Sequence, residues 1–198
     1  MDVAVIDAGG ANLGSVRHAL ERIGARPRIA RDADALRGAA RVILPGVGAA
    51  APAMRLLRER GFEAVLKAPT VPLLGICLGM QLLFESSEEG DVACLGLLRG
   101  SVRRMAPAPG VRVPHMGWNR LRTRGDSRLM AGIDDGAWVY FVHGYAAPVT
   151  GDCVADCTHG AAFAAVVEHG LVAGAQFHPE RSAAAGARLL QNFLGART

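Results

Sequence analysis

In the first half of the chain, to about Glu89, two kinds of apolar pattern alternate. Largely apolar runs, typical of strands buried in a parallel sheet, lie at 3–6, 27–30, 42–44 and 71–74. Apolar positions at helical spacing predict helices over 15–23, 34–40 and 51–60, and a further helix is expected after Cys77. This order of strands and helices predicts an α/β fold, with a parallel sheet and helices on both faces.

The second half of the chain has a different pattern, with short apolar runs separated by turn residues. These runs predict strands at 102–104, 111–113, 138–142, 153–157, 162–167 and 172–177. They indicate a largely antiparallel extension of the same sheet, and a last helix is predicted over 184–194. A length of 198 residues fits one domain, 1–198.

Composition and charge narrow the class of protein. Hydrophobic residues make up 51% of the chain, which fits a sizeable core, yet no apolar run approaches the roughly 20 residues of a spanning helix. The start of the chain lacks the basic region of a signal peptide, so we expect a cytoplasmic protein with no membrane partner. The net charge is +4, but Lys67 is the only lysine and the arginines are scattered. We therefore expect no nucleic-acid partner, although an anionic partner surface or a phosphorylated substrate stays compatible.

A cysteine framed by glycines follows the run at 71–74, in the segment Gly75-Ile76-Cys77-Leu78-Gly79. Glycine on each side of a central residue, between a strand and a helix, is the pattern of a nucleophile elbow. The tight turn exposes the central side chain, and the N-terminus of a helix favours the thiolate form. The pattern predicts that Cys77 is a covalent nucleophile.

A base and its orienting group are predicted in the segment Gln176-Phe177-His178-Pro179-Glu180. His178 would exchange protons with Cys77 and the leaving group, and Glu180 would hold the imidazole in the required tautomer. Taken alone, this segment is more typical of a surface loop. Its occurrence together with the cysteine elbow favours a catalytic role.

An oxyanion hole requires backbone N–H donors beside the nucleophile. We predict one donor at Leu78 and others at Val47 and Gly48, in the loop Pro45-Gly46-Val47-Gly48. An ordinary strand-to-helix turn is the alternative for this loop.

Neither a cofactor nor a metal is predicted. The glycines between Asp7 and Gly14 lack the spacing of a dinucleotide fingerprint, and no phosphate-binding GxxxxGK[ST] loop occurs. Cys153, Cys157 and His159 lack the spacing of a zinc knuckle, and the two cysteines fit a buried strand.

The two catalytic segments, extended to Met80-Gln81, closely resemble the class I glutamine amidotransferases, which hydrolyse the side-chain amide of glutamine. This resemblance implies a three-layer, flavodoxin-like fold and a triad of Cys77, His178 and Glu180. It runs from Asp7 to Phe193. Further segments resemble the glutaminase subunits of imidazole glycerol phosphate synthase: Leu44-Pro45-Gly46-Val47-Gly48, Val113-Pro114-His115-Met116-Gly117-Trp118-Asn119 and Tyr140-Phe141-Val142-His143-Gly144-Tyr145.

By the same resemblance, Gly48 matches the glycine of the oxyanion strand, and the substrate-binding positions are Gln81, Gly46, His143 and Gly144. For Gln81 the alternative is an ordinary glutamine on a surface helix. The chain departs from the family at four positions. Ala8 stands where tyrosine is usual and Ala11 where glycine is usual. Gly144 stands where serine is common, and Arg181 where lysine is common.

The implied reaction is attack of the Cys77 thiolate on L-glutamine, release of ammonia and hydrolysis of the thioester to glutamate. Because the chain offers no second catalytic domain, we expect a separate partner, which the resemblance identifies as a (β/α)₈ cyclase subunit. It would use the ammonia to make imidazole glycerol phosphate and an aminoimidazole-carboxamide ribonucleotide. Three alternatives stay open, namely a glutaminase subunit of another pathway, a cysteine hydrolase of the same fold, and a non-catalytic binding module.

Overall fold

The computed structural model describes residues 1–9 and 12–195. The helices in these residues are α1 (Leu13–Arg22), α2 (Ala50–Glu59), α3 (Phe62–Leu66), α4 (Leu78–Gln81) and α5 (Ala183–Gly195), with 3₁₀ helices at Asp34–Leu36 and Pro179–Arg181. The strands are β1 (Asp2–Ile6), β2 (Arg26–Ala30), β3 (Arg41–Gly46), β4 (Leu73–Cys77), β5 (Ser86–Ser87), β6 (Val92–Ala93), β7 (Ser101–Arg104), β8 (His115–Arg120), β9 (Arg122–Thr123), β10 (Trp138–His143), β11 (Tyr145–Ala146), β12 (Cys153–His159), β13 (Ala161–His169) and β14 (Val172–Ala175).

The central sheet has eight strands in the order β2-β1-β3-β4-β14-β13-β12-β9. Neighbours from β2 to β14 pair in parallel, and the pairs from β14 to β9 are antiparallel. The predicted parallel sheet with an antiparallel extension is therefore confirmed. In the register, Gly46 of β3 pairs with Cys77, and Ala175 of β14 pairs with the preceding Ile76. The carboxyl ends of these three strands thus meet at one edge, where α/β folds place their sites.

The two faces of the central sheet are covered by different helices, which gives the expected three layers. Side chains of β1 alternate, so that Val3 and Val5 pack with α1 and α5, while Ala4 and Ile6 pack with α2 and α3. No helix in the described ranges is long and apolar enough to cross a membrane.

Two smaller sheets lie beside the central sheet. One is an antiparallel ribbon of β8 and β10, in which Tyr140 pairs with Trp118 and His143 with His115. The other has the order β11-β7-β5-β6. The ribbon exposes large apolar side chains to solvent, with 65% of Met116 and 51% of each of Trp118 and Trp138 accessible.

Two predicted elements are wrong. The helix predicted over 34–40 is a single 3₁₀ turn, because Arg37 is extended and Gly38 adopts a φ of 74°. The strand predicted at 111–113 is absent from the described structure. There Val111 closes a tight turn by donating its N–H to Ala108 at 2.8 Å, and the proline- and glycine-rich sequence around it favours such a turn.

Other elements differ in extent. The strand predicted at 172–177 ends at Ala175, and the helix predicted after Cys77 has a single turn. The helix α3 and the strand β8 were not among the predicted elements. Helix α3 is only five residues long, and Gly61 separates it from α2 with a φ of 74°, so its apolar spacing is too short to predict a helix.

Candidate active site

Cys77 lies at the end of β4, in a backbone conformation that side-chain-bearing residues rarely adopt. Its φ is 55° and its ψ is −113°, a strained turn of the kind that functional sites preserve. The glycines on either side permit the close approach of the chain around this turn. A Cβ on Gly79 would overlap the carbonyl oxygen of Leu44, and one on Gly75 would lie 2.6 Å from the carbonyl oxygen of Gly79. The sequence pattern of an elbow therefore has a direct steric cause.

The helix that follows Cys77, α4, is a single turn. Its length limits how far the helix can activate the thiol. A helix of one turn has little macrodipole, so the predicted helix-dipole effect is weak here. The N–H of Leu78 at its start still has no acceptor within the helix. This N–H is therefore free to act as one of the oxyanion donors.

His178 and Glu180 form a buried pair just beyond β14. The Nδ1 atom of His178 lies 2.8 Å from Oε1 of Glu180, and their side chains are 8% and 1% exposed. Pro179 opens the 3₁₀ helix between them, and Ser182 donates its hydroxyl to the carbonyl of His178 at 2.7 Å. Since Nδ1 faces the carboxylate, Nε2 is the nitrogen left to act on Cys77, which lines the same cavity as His178.

Asn12, just before α1, contacts this pair from the first loop of the chain. Its amide donates to Glu180 Oε1, and its nitrogen lies 3.4 Å from His178 Nδ1. The other carboxylate oxygen of Glu180, Oε2, is buried and has no hydrogen-bond partner in the described structure. The glycine-rich first loop thus lies beside the site, as its sequence suggested.

The pKa of His178 is raised from 6.5 to about 10. Burial by itself lowers this pKa, but hydrogen bonds from the imidazolium to Cys77 and Glu180, and the charges of both, outweigh the burial. The imidazolium is therefore the favoured form of His178 at neutral pH.

Cys77 and His178 open into a cavity of about 260 Å³. Its walls bring together most of the site residues predicted from the sequence: Val47, Gly48, Leu78, Gln81, His143 and Gly144. Gly46 and Glu180 are the exceptions, because neither is part of this lining. A Cβ on Gly46 would lie 2.9 Å from the backbone N of Gly79, so the glycine allows β3 to pack against the elbow.

Sequence reasoning missed several residues of the site. Glu89 lines the cavity, and its Oε2 accepts the N–H of Ala50 at the start of α2 at 3.0 Å. Burial raises the pKa of Glu89 above its ordinary value, and the Ala50 hydrogen bond opposes this change. Tyr145 and Pro114 also line the cavity. Glu89 lies in an acidic surface turn, and nothing in its local sequence distinguishes it from Glu88.

The departures from the family pattern have modest structural consequences. A Cβ on Gly144 would meet only ordinary contacts at 3.9 Å, so a serine would fit there. Ala8 is buried and borders a small crevice beside Asn12 and residues 45–47. Ala11 lies outside the described residues. Across the described residues, no cluster of three or more His, Cys, Asp or Glu side chains is arranged to hold a metal ion.

Comparison with known proteins agrees with this geometry. The sequence model of the family described as "Glutamine amidotransferase class-I" matches residues 4–196. A protein of Xanthomonas oryzae pv. oryzae named "Imidazole glycerol phosphate synthase subunit HisH" is 67% identical over 193 residues, covering 98% of this chain and 96% of the relative. A protein of Xylella fastidiosa with the same name is 63% identical over the same shares of both chains.

Solved structures share the fold at lower sequence identity. One described as "Crystal structure of glutamine amidotransferase" has a TM-score of 0.76 and 24% identity, covering 97% of this chain and 96% of the other. Another, described as "Structure of PurLQS from Thermotoga maritima", has a TM-score of 0.73 and 21% identity, covering 98% of this chain and 97% of the other.

The raised pKa of His178 gives a prediction for NMR. In the protein with ¹⁵N-labelled histidine, the His178 ring should stay protonated until about pH 10. In the Cys77→Ala variant, loss of the sulfur partner should move this titration down toward the ordinary value of 6.5. The exposed His169, which contacts Asp152 and not Cys77, provides an internal control, because its ring signals should be the same in both proteins. If the His178 titration is the same in the Cys77→Ala variant, the side chains of Cys77 and His178 are not paired.

Proposed function

The chain belongs to the class I glutamine amidotransferase family, and on that premise we propose that Cys77, His178 and Glu180 hydrolyse L-glutamine to glutamate and ammonia. Within this family it groups with the HisH subunits of imidazole glycerol phosphate synthase, so it is the glutaminase subunit of that enzyme. The observation that carries the residue assignment is that Cys77 and His178 line one cavity, with the buried Glu180 bound to the far nitrogen of His178.

The reaction begins with the thiolate of Cys77, which the protonated His178 stabilises. Sγ attacks the side-chain carbonyl carbon of glutamine, and the carbonyl oxygen becomes an oxyanion. His178 then gives its Nε2 proton to the amide nitrogen, the C–N bond breaks and ammonia leaves, with a thioester left on Cys77. Water, deprotonated by His178, attacks the thioester and releases glutamate and the thiolate. Glu180 stabilises each imidazolium form through Nδ1.

The oxyanion is assigned to backbone donors around the cavity. Leu78 lies directly after the nucleophile and lines the cavity with Val47 and Gly48, as the sequence predicted. Gly48 has a φ of 94°, a conformation that glycine adopts freely, so its neighbouring peptide can reorient at little cost. Donors in a loop of this kind need not point at the substrate until the loop is fixed by binding.

Glu89 is assigned to the α-ammonium group of glutamine. It is the only carboxylate lining the cavity among the described residues. The amino acid end of glutamine carries one positive and one negative charge, and a half-buried carboxylate attracts the positive one more strongly than water-exposed groups do. Glu89 would therefore orient the substrate with its amide toward Cys77.

A synthase subunit is proposed to dock on the exposed apolar face of the β8–β10 ribbon, formed by Met116, Trp118 and Trp138. Exposed aromatic and methionine side chains of this kind are enriched at protein interfaces. The same ribbon reaches the nucleophile, because the carbonyl oxygen of Val142 in β10 lies 3.7 Å from Cys77 Sγ. A partner on this face would sit beside the site of ammonia release. The proposed partner is a (β/α)₈ cyclase subunit.

Two further assignments belong to this proposal. Residues 1–198 are assigned to one domain, because hydrophobic clusters on the two faces share the same central sheet. A cytoplasmic location is assigned because all four cysteines are free thiols, which fits a reducing compartment.

The triad assignment predicts the effect of Cys77→Ala. In the presence of the synthase subunit and its nucleotide substrate, this variant should release glutamate at least about a thousandfold more slowly, because the nucleophile is gone. The synthase should still work when ammonium salt replaces glutamine. Cys94→Ala, which removes a buried thiol far from the cavity, is the matched control and should keep its activity. Full glutamine hydrolysis by Cys77→Ala would refute the proposal.

The assignment of Glu89 predicts a specific kinetic change. Glu89→Gln keeps an oxygen to accept the Ala50 N–H but removes the charge. The KM for glutamine should therefore rise about tenfold, with kcat nearly unchanged, because one charge interaction with the substrate is lost in ground and transition states alike. Glu88→Gln, in the exposed neighbour, is the control. An unchanged KM would remove Glu89 from the substrate site.

The docking face predicts the effect of Trp118→Ala. The Kd for the synthase subunit, measured by titration calorimetry, should rise about tenfold or more, since interface tryptophans often dominate binding. The Tm should change little because the side chain is half exposed. Val65→Ala, which trims a 46% exposed apolar residue on α3, is the matched control and should leave the Kd unchanged. Equal affinities for both variants would place the partner elsewhere.

A further inference from the structure

Cys77 has a second polar neighbour that the triad does not include. Gln176 directly follows β14, is fully buried, and places its amide nitrogen 3.9 Å from Cys77 Sγ. Its other amide atom, Oε1, accepts a hydrogen bond from Nε2 of Gln81 at 3.0 Å. Because a donor already occupies the oxygen, the amide of Gln176 can face the sulfur only with its N–H group.

Gln81 is held in one orientation by two acceptors. Its Nε2 donates to Gln176 Oε1 and, at 2.8 Å, to the carbonyl oxygen of Tyr145. Rotating the Gln81 amide would place its oxygen against both acceptors, which is strongly unfavourable in a site where Gln81 is 3% exposed. The direction of the Gln176 amide therefore depends on the position of the Tyr145 carbonyl.

The Tyr145 carbonyl also accepts a hydrogen bond from Nδ1 of His143 at 2.8 Å. A carbonyl cannot donate, so Nδ1 of His143 carries a proton. In the neutral ring Nε2 is then an acceptor, and it faces Nδ1 of His115 at 3.2 Å. His115 must donate from Nδ1, which leaves its Nε2 to accept from the side-chain nitrogen of Asn119 at 3.3 Å.

These hydrogen bonds form a series of side chains from Gln176 to Asn119. The Asn119 end of the series is fixed by backbone groups. The amide nitrogen of Asn119 also donates to the carbonyl of Thr158 at 3.0 Å, and its oxygen accepts the N–H of Arg120 at 2.8 Å. Turning the Asn119 amide over would oppose both backbone contacts. The hydrogen bonds in this series therefore all run the same way. Asn119 donates to His115, His115 donates to His143, and His143 donates to the Tyr145 carbonyl.

This direction requires both histidines to be neutral. Burial, followed by the charges of His143 and His159, lowers the pKa of His115 to about 3. Burial also lowers the pKa of His143 to about 4. Both rings are therefore neutral at neutral pH, as the geometry demands.

We infer that Gln176 donates a hydrogen bond to the thiolate of Cys77, and that Gln81, His143 and His115 are positioning residues that hold this donor in place. The inference rests on the proposed use of Cys77 as the nucleophile. A hydrogen bond to the charged form of an acid favours that form, so Gln176 increases the thiolate population beside His178. The series begins at Asn119, next to Trp118 of the docking face.

The thiolate population can be measured directly by alkylation of the full-length protein with iodoacetamide between pH 5 and pH 9. Burial raises the pKa of each of the other three thiols to about 11 or 12, so they stay unreactive in this range: Cys94, Cys153 and Cys157. The titratable groups that face Cys77 across the cavity are Glu89, His143, Tyr145 and His178. All four of these residues are retained when Gln176 is replaced.

Gln176→Leu should move the midpoint pH of Cys77 alkylation upward by about 1, with a roughly tenfold lower rate below the midpoint. Gln191→Leu, on the exposed face of α5, is the matched control and should leave the midpoint unchanged. If Gln176→Leu does not fold, Gln176→Met provides a similar shape without a donor. An unchanged midpoint in the folded variant would overturn the inference.

The positioning role is tested by a pair of variants at His143. His143→Asn keeps an N–H near the position of Nδ1, whereas His143→Leu removes it. His143→Leu should raise the alkylation midpoint by about half as much as Gln176→Leu, and His143→Asn should restore most of the difference. Equal midpoints in the two variants would show that His143 only fills space. Because alkylation needs no glutamine, this result is independent of whether the protein is a glutaminase.

Discussion

The close approach between the first turn of α4 and the end of β3 is the constraint on which the site depends. The backbone at Gly79 packs against the carbonyl of Leu44, with no room for a side chain between them. This contact holds Cys77 in its strained conformation at the edge where β3, β4 and β14 end. The same edge brings in residues 45–48 from β3 and His178 from beyond β14. A single backbone contact therefore gathers nucleophile, base and oxyanion donors that are far apart in sequence.

Much of this arrangement could be predicted from the sequence because its causes are local. The glycines around Cys77 report a steric requirement of the turn itself, and His178-Pro179-Glu180 is a short rigid segment whose two partners are two residues apart. The parallel pairing of β1 to β4 follows from the alternation of buried runs and amphipathic helices, whereas the order of the strands comes from the structure. The predicted strand at 111–113 and the predicted helix over 34–40 were wrong because turn chemistry outweighed apolar spacing at both places.

The parts that escaped prediction are contacts between distant segments. Glu89 reaches the cavity only because the small sheet folds against the start of α2. Gln176 lies in a segment that the sequence analysis singled out. The orientation of its amide could not be predicted, because it depends on Gln81 and the Tyr145 carbonyl, which are distant in sequence. His143 was assigned to the substrate by resemblance. It does line the cavity, but both of its ring nitrogens are already occupied by hydrogen bonds within the protein.

The buried neutral histidines also link the stability of the fold to protons. An unfolded chain binds a proton at His115 and His143 near pH 6.5, whereas the native rings resist protonation until about pH 3 and 4. Between these limits the unfolded state binds more protons, so the free energy of unfolding falls as the pH falls. Activity lost in this range would then include a contribution from weakening of the β8–β10 ribbon, which carries both histidines, while His178 stays protonated. Part of the acid sensitivity of this fold therefore originates in the scaffold that supports the nucleophile.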